Sequence, residues 1–193
     1  MENRLDMETA TAITAASVFM ISVYLYMALE TGVPDYLEVQ ICAIIVTVMA
    51  AIYGMAAGIL IPLVSYIAVH LSYPRSGALT GMLFLIFIGA ATGHYAGQFR
   101  IREGRFKGKS LADYAVIETV LAVIVWVCMQ PICSFFIDEV DLRTTLNNGI
   151  MYCGISVVNE LCICLPVILL ANRLYGKRQE AMKAGEDYLY ERE

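Results

Sequence analysis

Apolar residues run along this chain in long blocks, and the few polar breaks between them predict the elements. A membrane-spanning helix takes about 20 predominantly apolar residues. The first such block covers 10–29 and contains no charged residue. It is followed at 30–36 by Glu-Thr-Gly-Val-Pro-Asp-Tyr, turn chemistry with an aromatic suited to interface depth. The stretch 39–74 then contains no Asp, Glu, Lys or Arg. As one helix it would reach roughly 54 Å, against a hydrocarbon core of about 30 Å. It is therefore expected to fold back at 53–58, where Gly54 and Gly58 sit, giving two helices of about 16 residues each. The alternative, one long tilted helix, places two glycines at its centre.

A fourth helix is expected over 77–99. Gly77, Gly81, Gly89, Gly93 and Gly97 fall on one four-residue ladder interrupted by Leu85, a strip on which another backbone can approach closely. A fifth helix is expected over 111–137 with Pro131 near its end. A sixth, over 145–175, contains Pro166 and is long enough to bend or to project into water. The fold class is thus an all-α integral membrane protein, a bundle of six transmembrane helices. Residues 1–176 form the transmembrane domain and 177–193 a short charged tail.

Composition supports the lipid reading. Of 193 residues, 59% are hydrophobic and 16% charged, with a mean hydropathy of +0.66, whereas soluble domains carry about 25% charged residues. The net charge of −5 offers no basic footprint for nucleic acid. Cys42, Cys128, Cys133, Cys153, Cys162 and Cys164 lie in apolar stretches without a C-x-x-C or C-x-x-H pair, so they read as small packing residues. No metal or cofactor is expected. The acidic N-terminus is a poor leader for a cleaved signal, so the first block is expected to remain as an anchor.

Basic residues set the orientation. Arg100, Arg102, Arg105, Lys107 and Lys109 occupy the connection between helices four and five, and Arg173, Lys177, Arg178 and Lys183 lie near the end; the opposite loops hold Arg75 and Arg143. By the positive-inside rule both termini are expected in the cytoplasm of a multi-pass cell-membrane protein.

Ionisable groups at bilayer depth cost about 2.5–3.5 kcal/mol on insertion scales and are functional candidates by default. Glu118 and Glu160, the latter beside Asn159, meet that description; their structural alternative is a partner hydroxyl or amide on a neighbouring helix. Toward the outer helix ends lie Tyr24, Tyr26, Glu38, Gln40, Tyr66, His70, Trp126, Gln130, Asn147, Asn148 and Tyr152. Rings interleaved with amides suit a pocket for a flat polar heterocycle, although an interfacial aromatic belt has the same composition. The expected ligand contacts are Gln40, Tyr66, His70, Trp126, Gln130, Asn148 and Glu160. No H-E-x-x-H, G-x-S-x-G or glycine-rich phosphate loop is present, and no enzymatic activity is expected.

In the order of these features the chain resembles the S-component of energy-coupling factor (ECF) transporters, in its riboflavin-type, largely uncharacterised branch. Four stretches carry the likeness: Thr11-Ala12-Ile13-Thr14-Ala15-Ala16; Thr31-Gly32-Val33-Pro34; Ile52-Tyr53-Gly54-Met55-Ala56-Ala57-Gly58; and the basic run 102–110 followed by Trp126 and Pro131. The chain departs from that branch at Ser65-Tyr66, Val69-His70 and Gly77-Ala78-Leu79-Thr80, where the branch has a Gly-His pair, a Lys-Asp pair and a tryptophan cluster. The resemblance implies a membrane subunit that captures a vitamin or related micronutrient. It also implies docking through Ala12, Ala15 and Ala16 on a membrane T-component, with two cytoplasmic ABC ATPases supplying energy. A membrane sensory or regulatory protein with a small-molecule pocket, expected to carry an output domain, is one alternative. A small oligomeric secondary transporter, expected to show broken helices and an inverted repeat, is another.

Overall fold

The computed structural model describes residues 2–29, 35–72, 78–136 and 141–190. The described chain is helical throughout its regular elements. In chain order these are α1 (Glu2–Leu29), α2 (Asp35–Tyr53), α3 (Met55–Ser72), α4 (Ala78–Phe99), α5 (Lys109–Phe136) and α6 (142–190). A 3₁₀ turn, Ile101–Glu103, sits between α4 and α5. Among the described residues, four segments are long and apolar enough to cross a membrane: Met7–Met27, Leu79–Glu103, Lys109–Phe136 and Leu142–Met182. The apolar helices Leu37–Tyr53 and Met55–Leu71 are shorter, each about 26 Å long at 1.5 Å per residue.

The fold-back expected at 53–58 is made by one residue. Gly54 takes φ +87° and its N–H still donates to the Ala50 carbonyl at 2.8 Å, so α2 passes into α3 with no loop at all. A side chain is strained in that left-handed region, which glycine enters freely. The hairpin brings Gly58 of α3 against Gly89 of α4, where a Cβ on either residue would strike the other's carbonyl oxygen; a Cβ on Gly93 would lie 2.5 Å from Met55 Cα. The glycine ladder of α4 is therefore divided between neighbours. Gly89 and Gly93 seat α3, a Cβ on Gly81 would lie 3.5 Å from Val39 Cγ2 of α2, and a Cβ on Gly97 would meet nothing within 4 Å. Leu85, the interruption, is fully buried in a core with Cys42, Val46 and Ile61. Gly77, Arg75 and the Thr31–Pro34 stretch lie outside the described residues.

Helices α1 to α4 pack into one group, and the α5–α6 hairpin lies across α2 and α4. Val18, Leu60, Ile67, Val116, Val120, Ile150, Val158 and Leu170 are exposed around the bundle, the apolar outer surface that a lipid-facing protein presents.

The basic connection is fastened to α6. Gly104, at φ +69°, lies so close to Gly176 that a Cβ on it would sit 2.5 Å from the Gly176 Cα. Asn172 accepts from the Phe106 N–H at 2.8 Å and donates to the Phe106 carbonyl at 3.4 Å, while Gln179 donates to the Arg102 carbonyl at 3.0 Å. Phe99, Phe106 and Tyr114 meet edge to face behind it. Glu8 of α1 reaches the same place, 3.7 Å from both Arg102 and Arg178. The start of α1, the basic connection and the second half of α6 thus share one end of the bundle. Helix α1 begins ahead of its apolar block. Helix α6 projects beyond position 176, and the charged tail as far as Tyr190 continues the last helix.

Candidate functional site

Two prolines shape the interior. Each lies two residues beyond a stretch of π-helix: Val123–Met129 before Pro131 and Glu160–Cys164 before Pro166. Proline has no N–H to give to the preceding turn and its ring crowds it. Widening that turn shifts donors to carbonyls five residues back, as Gln130 N–H does to Val125 and Leu165 N–H to Glu160. Such π turns reorient side chains and recur at functional sites. Here one carries Trp126 and the other begins at Glu160.

The Trp126 indole is 3% exposed and packed edge-on by Phe84 of α4 and Tyr152 of α6, with centroids at 5.9 and 5.7 Å. Gln130 follows one turn later, and its Nε2 donates to Ser134 Oγ at 3.3 Å. Gly149 of α6 makes room for both. A Cβ there would strike the Trp126 carbonyl and lie 3.2 Å from Gln130 Oε1. Gln40 of α2 joins this group by donating to the Tyr152 carbonyl at 3.2 Å and accepting from Asn159 Nδ2 at 3.3 Å. Among the buried polar atoms of the described residues that have no hydrogen-bond partner are Trp126 Nε1, Gln130 Oε1 and Thr80 Oγ1. Thr80 precedes Phe84 by one turn on α4, which runs antiparallel to α5, so the register sets it toward the level of Gln130. An unpartnered buried polar atom costs about 1–3 kcal/mol. A donor, an acceptor and a hydroxyl left open around one aromatic cluster suit a polar molecule bound among them.

Nearer the basic end, the two membrane carboxyls have partners. Tyr114 donates to Glu160 Oε2 at 3.0 Å, and Thr92 donates to Glu118 Oε1 at 2.7 Å. Tyr114 and Glu118 are one turn apart on α5, so this face carries a hydroxyl and a carboxyl into the same buried layer. Thr47 of α2, fully buried, brings a further hydroxyl toward the Glu160 carboxyl.

The structure therefore gathers Gln40, Trp126 and Gln130 around the junction of α2, α4, α5 and α6. Asn148 adjoins that group as the half-buried neighbour of Gly149. Glu160 belongs to the deeper layer. Tyr66 and His70 stack on each other, centroids 5.0 Å apart, on α3, which packs against α1, α2 and α4; they stand on the other side of the bundle from α5. Sequence reading named Thr80 only within a departure from the family pattern, and it missed Thr92, Tyr114 and Gly149. Pro131 and Pro166 were visible signals for the widened turns, but hydroxyl pairing across helices has no periodic signature.

Ala12, Ala15 and Ala16 line a second feature, a groove of about 580 Å³ between α1, α2 and α6. Its walls include Phe19, Ile45, Met49 and Leu174, and its polar end is formed by Glu8, Tyr53, Tyr175 and Arg178. Ala15 is exposed and Ala12 half-buried, whereas Ala16 is buried against the core.

No protein-family profile matches the chain, and no solved structure matches it. It is similar to two proteins from Clostridium perfringens strains, SM101 and ATCC 13124, each described as a UPF0397 protein. Each is 23% identical over 171 residues, covering 89% of this chain and 91% of the relative.

Proposed function

We propose that this chain is the substrate-capturing S-component of an ECF-type importer for a vitamin or related micronutrient, a multi-pass cell-membrane protein with six spans and both termini in the cytoplasm. The observation that carries the reading is the set of unpartnered atoms on Trp126, Gln130 and Thr80 at the end of the bundle opposite the basic connection. Placing the basic end in the cytoplasm turns this cluster toward the outside, where a scavenged nutrient arrives. The aromatic rings supply stacking surface and the open donor and acceptors supply orientation, the combination expected of small-molecule sites. The groove lined by Ala12 and Ala15 supports the second half of the reading, since small side chains on a membrane helix admit a close, reversible helix contact. A T-component would dock there, and two cytoplasmic ATPases would drive release.

Uptake of labelled vitamins tests this directly. Cells producing the chain together with a T-component and both ATPases are expected to accumulate one of them, and cells lacking the ATPases are expected to bind it without accumulation. Equal accumulation with and without the ATPases would instead favour a self-contained transporter.

A further inference from the structure

We infer that the site around Trp126 takes an uncharged ligand and that Gln130 selects it by polarity, its Oε1 accepting from an N–H or O–H on the ligand's edge. This deepens the proposed substrate site and rests on that reading.

The open atoms pair in a fixed sense. The Trp126 indole N–H only donates, so it requires an acceptor on the ligand. Gln130 could offer either end of its amide, and Ser134, one turn further along α5, decides which. Nε2 donates to Ser134 Oγ at 3.3 Å, which leaves Oε1 buried and without a partner. An amide oxygen only accepts, so the ligand has to donate to it. Gly149, whose Cβ would lie 3.2 Å from Oε1, brings no side chain of its own to compete for that oxygen. Thr80 Oγ1 can pair in either sense and adds no selection.

The surroundings disfavour charge. Trp126 packs with Phe84, Ile88, Val125, Tyr152, Cys153 and Val157, and none of these side chains carries a charge at neutral pH. Gln130 and Thr80 are themselves buried. The carboxyls of Glu118 and Glu160 lie in the deeper layer, where they accept from Thr92 and Tyr114. An ion held beside Trp126 would lose its water without gaining an opposite charge from this cluster, which costs far more than burying a hydrogen-bonded neutral group. A planar molecule with an N–H beside a carbonyl, as in an aromatic amide, lactam or imide, meets both hydrogen-bond demands. Its flat ring suits the aromatic walls.

The test uses the purified full chain in mild detergent and equilibrium dialysis with matched sets of labelled probes. One set is nicotinamide, N,N-dimethylnicotinamide and nicotinate; the other is uracil, 1,3-dimethyluracil and orotate. In each set the first member is expected to bind best. Methylation removes the donor and should weaken binding by about fivefold or more, and the anionic member should also bind at least about fivefold more weakly. Gln130→Leu removes the acceptor at similar volume and should bring parent and methylated probes to within about twofold of each other. Ser134→Ala frees Nε2 and should narrow the same ratio, whereas a merely structural role would lower both affinities together. The wild-type ratios decide even where a variant fails to fold. Methylated probes bound as tightly as their parents, anionic probes bound best, or no probe bound at all would overturn the inference. A vitamin that still shifts Trp126 emission in that case leaves the substrate site standing and removes only the polarity assignment.

Discussion

Tyr114 of α5 donates its phenolic hydrogen to Glu160 of α6 at 3.0 Å, one turn along α5 from the carboxyl of Glu118. The bond joins two helices through groups that could not be left bare in a membrane interior. A buried carboxyl without a partner is costly, and a hydroxyl donor across the interface offsets part of that cost while fixing the register of the helices.

Tyr114→Phe leaves the Glu160 carboxyl short of one donor and should destabilise the purified protein by about 1–3 kcal/mol, read as a lower Tm. Glu160→Gln keeps an oxygen that can accept from Tyr114, so it should be milder. Neither substitution should change ligand affinity more than about twofold, a shift of about 0.4 kcal/mol. Collapse of binding in Glu160→Gln with Tm intact would make Glu160 a ligand contact instead.

The glycine contacts give a sharper contrast. Gly149→Ala forces a methyl group onto the Trp126 carbonyl, and Gly89→Ala forces one onto Gly58, backbone against backbone in both cases. Each should cost about 1–3 kcal/mol, the range for overpacking. At Gly97 and Gly154 a Cβ meets nothing within 4 Å, and alanine there should be neutral or slightly stabilising in the same thermal unfolding assay.

These contrasts mark how far the sequence could be read. The fold-back in 39–74 was legible because bilayer thickness limits a charge-free run, and Gly54 stood where the break had to fall. The basic connection was legible because five cations crowd into 100–109. The division of the glycine ladder was not. Gly81, Gly89 and Gly97 look alike in sequence, and which of them bears a neighbour depends on how α2 and α3 approach α4. The candidate site was legible as a collection of aromatic and amide residues. Its selection was not, because Tyr66 and His70 share that chemistry with Trp126 and Gln130 but stand on another helix pair. Thr92 carried no signal, since a hydroxyl gains meaning in a membrane from what it faces.

Orientation can be read chemically. With the native cysteines replaced, Lys107→Cys should react with a membrane-impermeant thiol reagent only after the membrane is opened. Reaction in intact cells would reverse the bundle and place the Trp126 cluster inside.

Docking and folding can be separated at α1. Ala12→Leu with Ala15→Leu adds bulk to the groove wall without touching the core position Ala16. Uptake should fall at least tenfold, corresponding to about 1.4 kcal/mol or more of lost contact, while ligand binding to the isolated chain stays near wild type. A parallel fall of both would make this face a folding element.

Trp126 is the chain's single tryptophan, and it sits inside the proposed site, so its fluorescence is the most direct probe of substrate capture. Titrating the purified chain with vitamins and their precursors should give, for one compound, a saturable change in tryptophan emission. Gln130→Ala should weaken that binding by roughly five- to a hundred-fold, the range set by losing one placed hydrogen bond in a desolvated site. A flat response to every compound, together with no small molecule retained on the purified protein, would contradict the account.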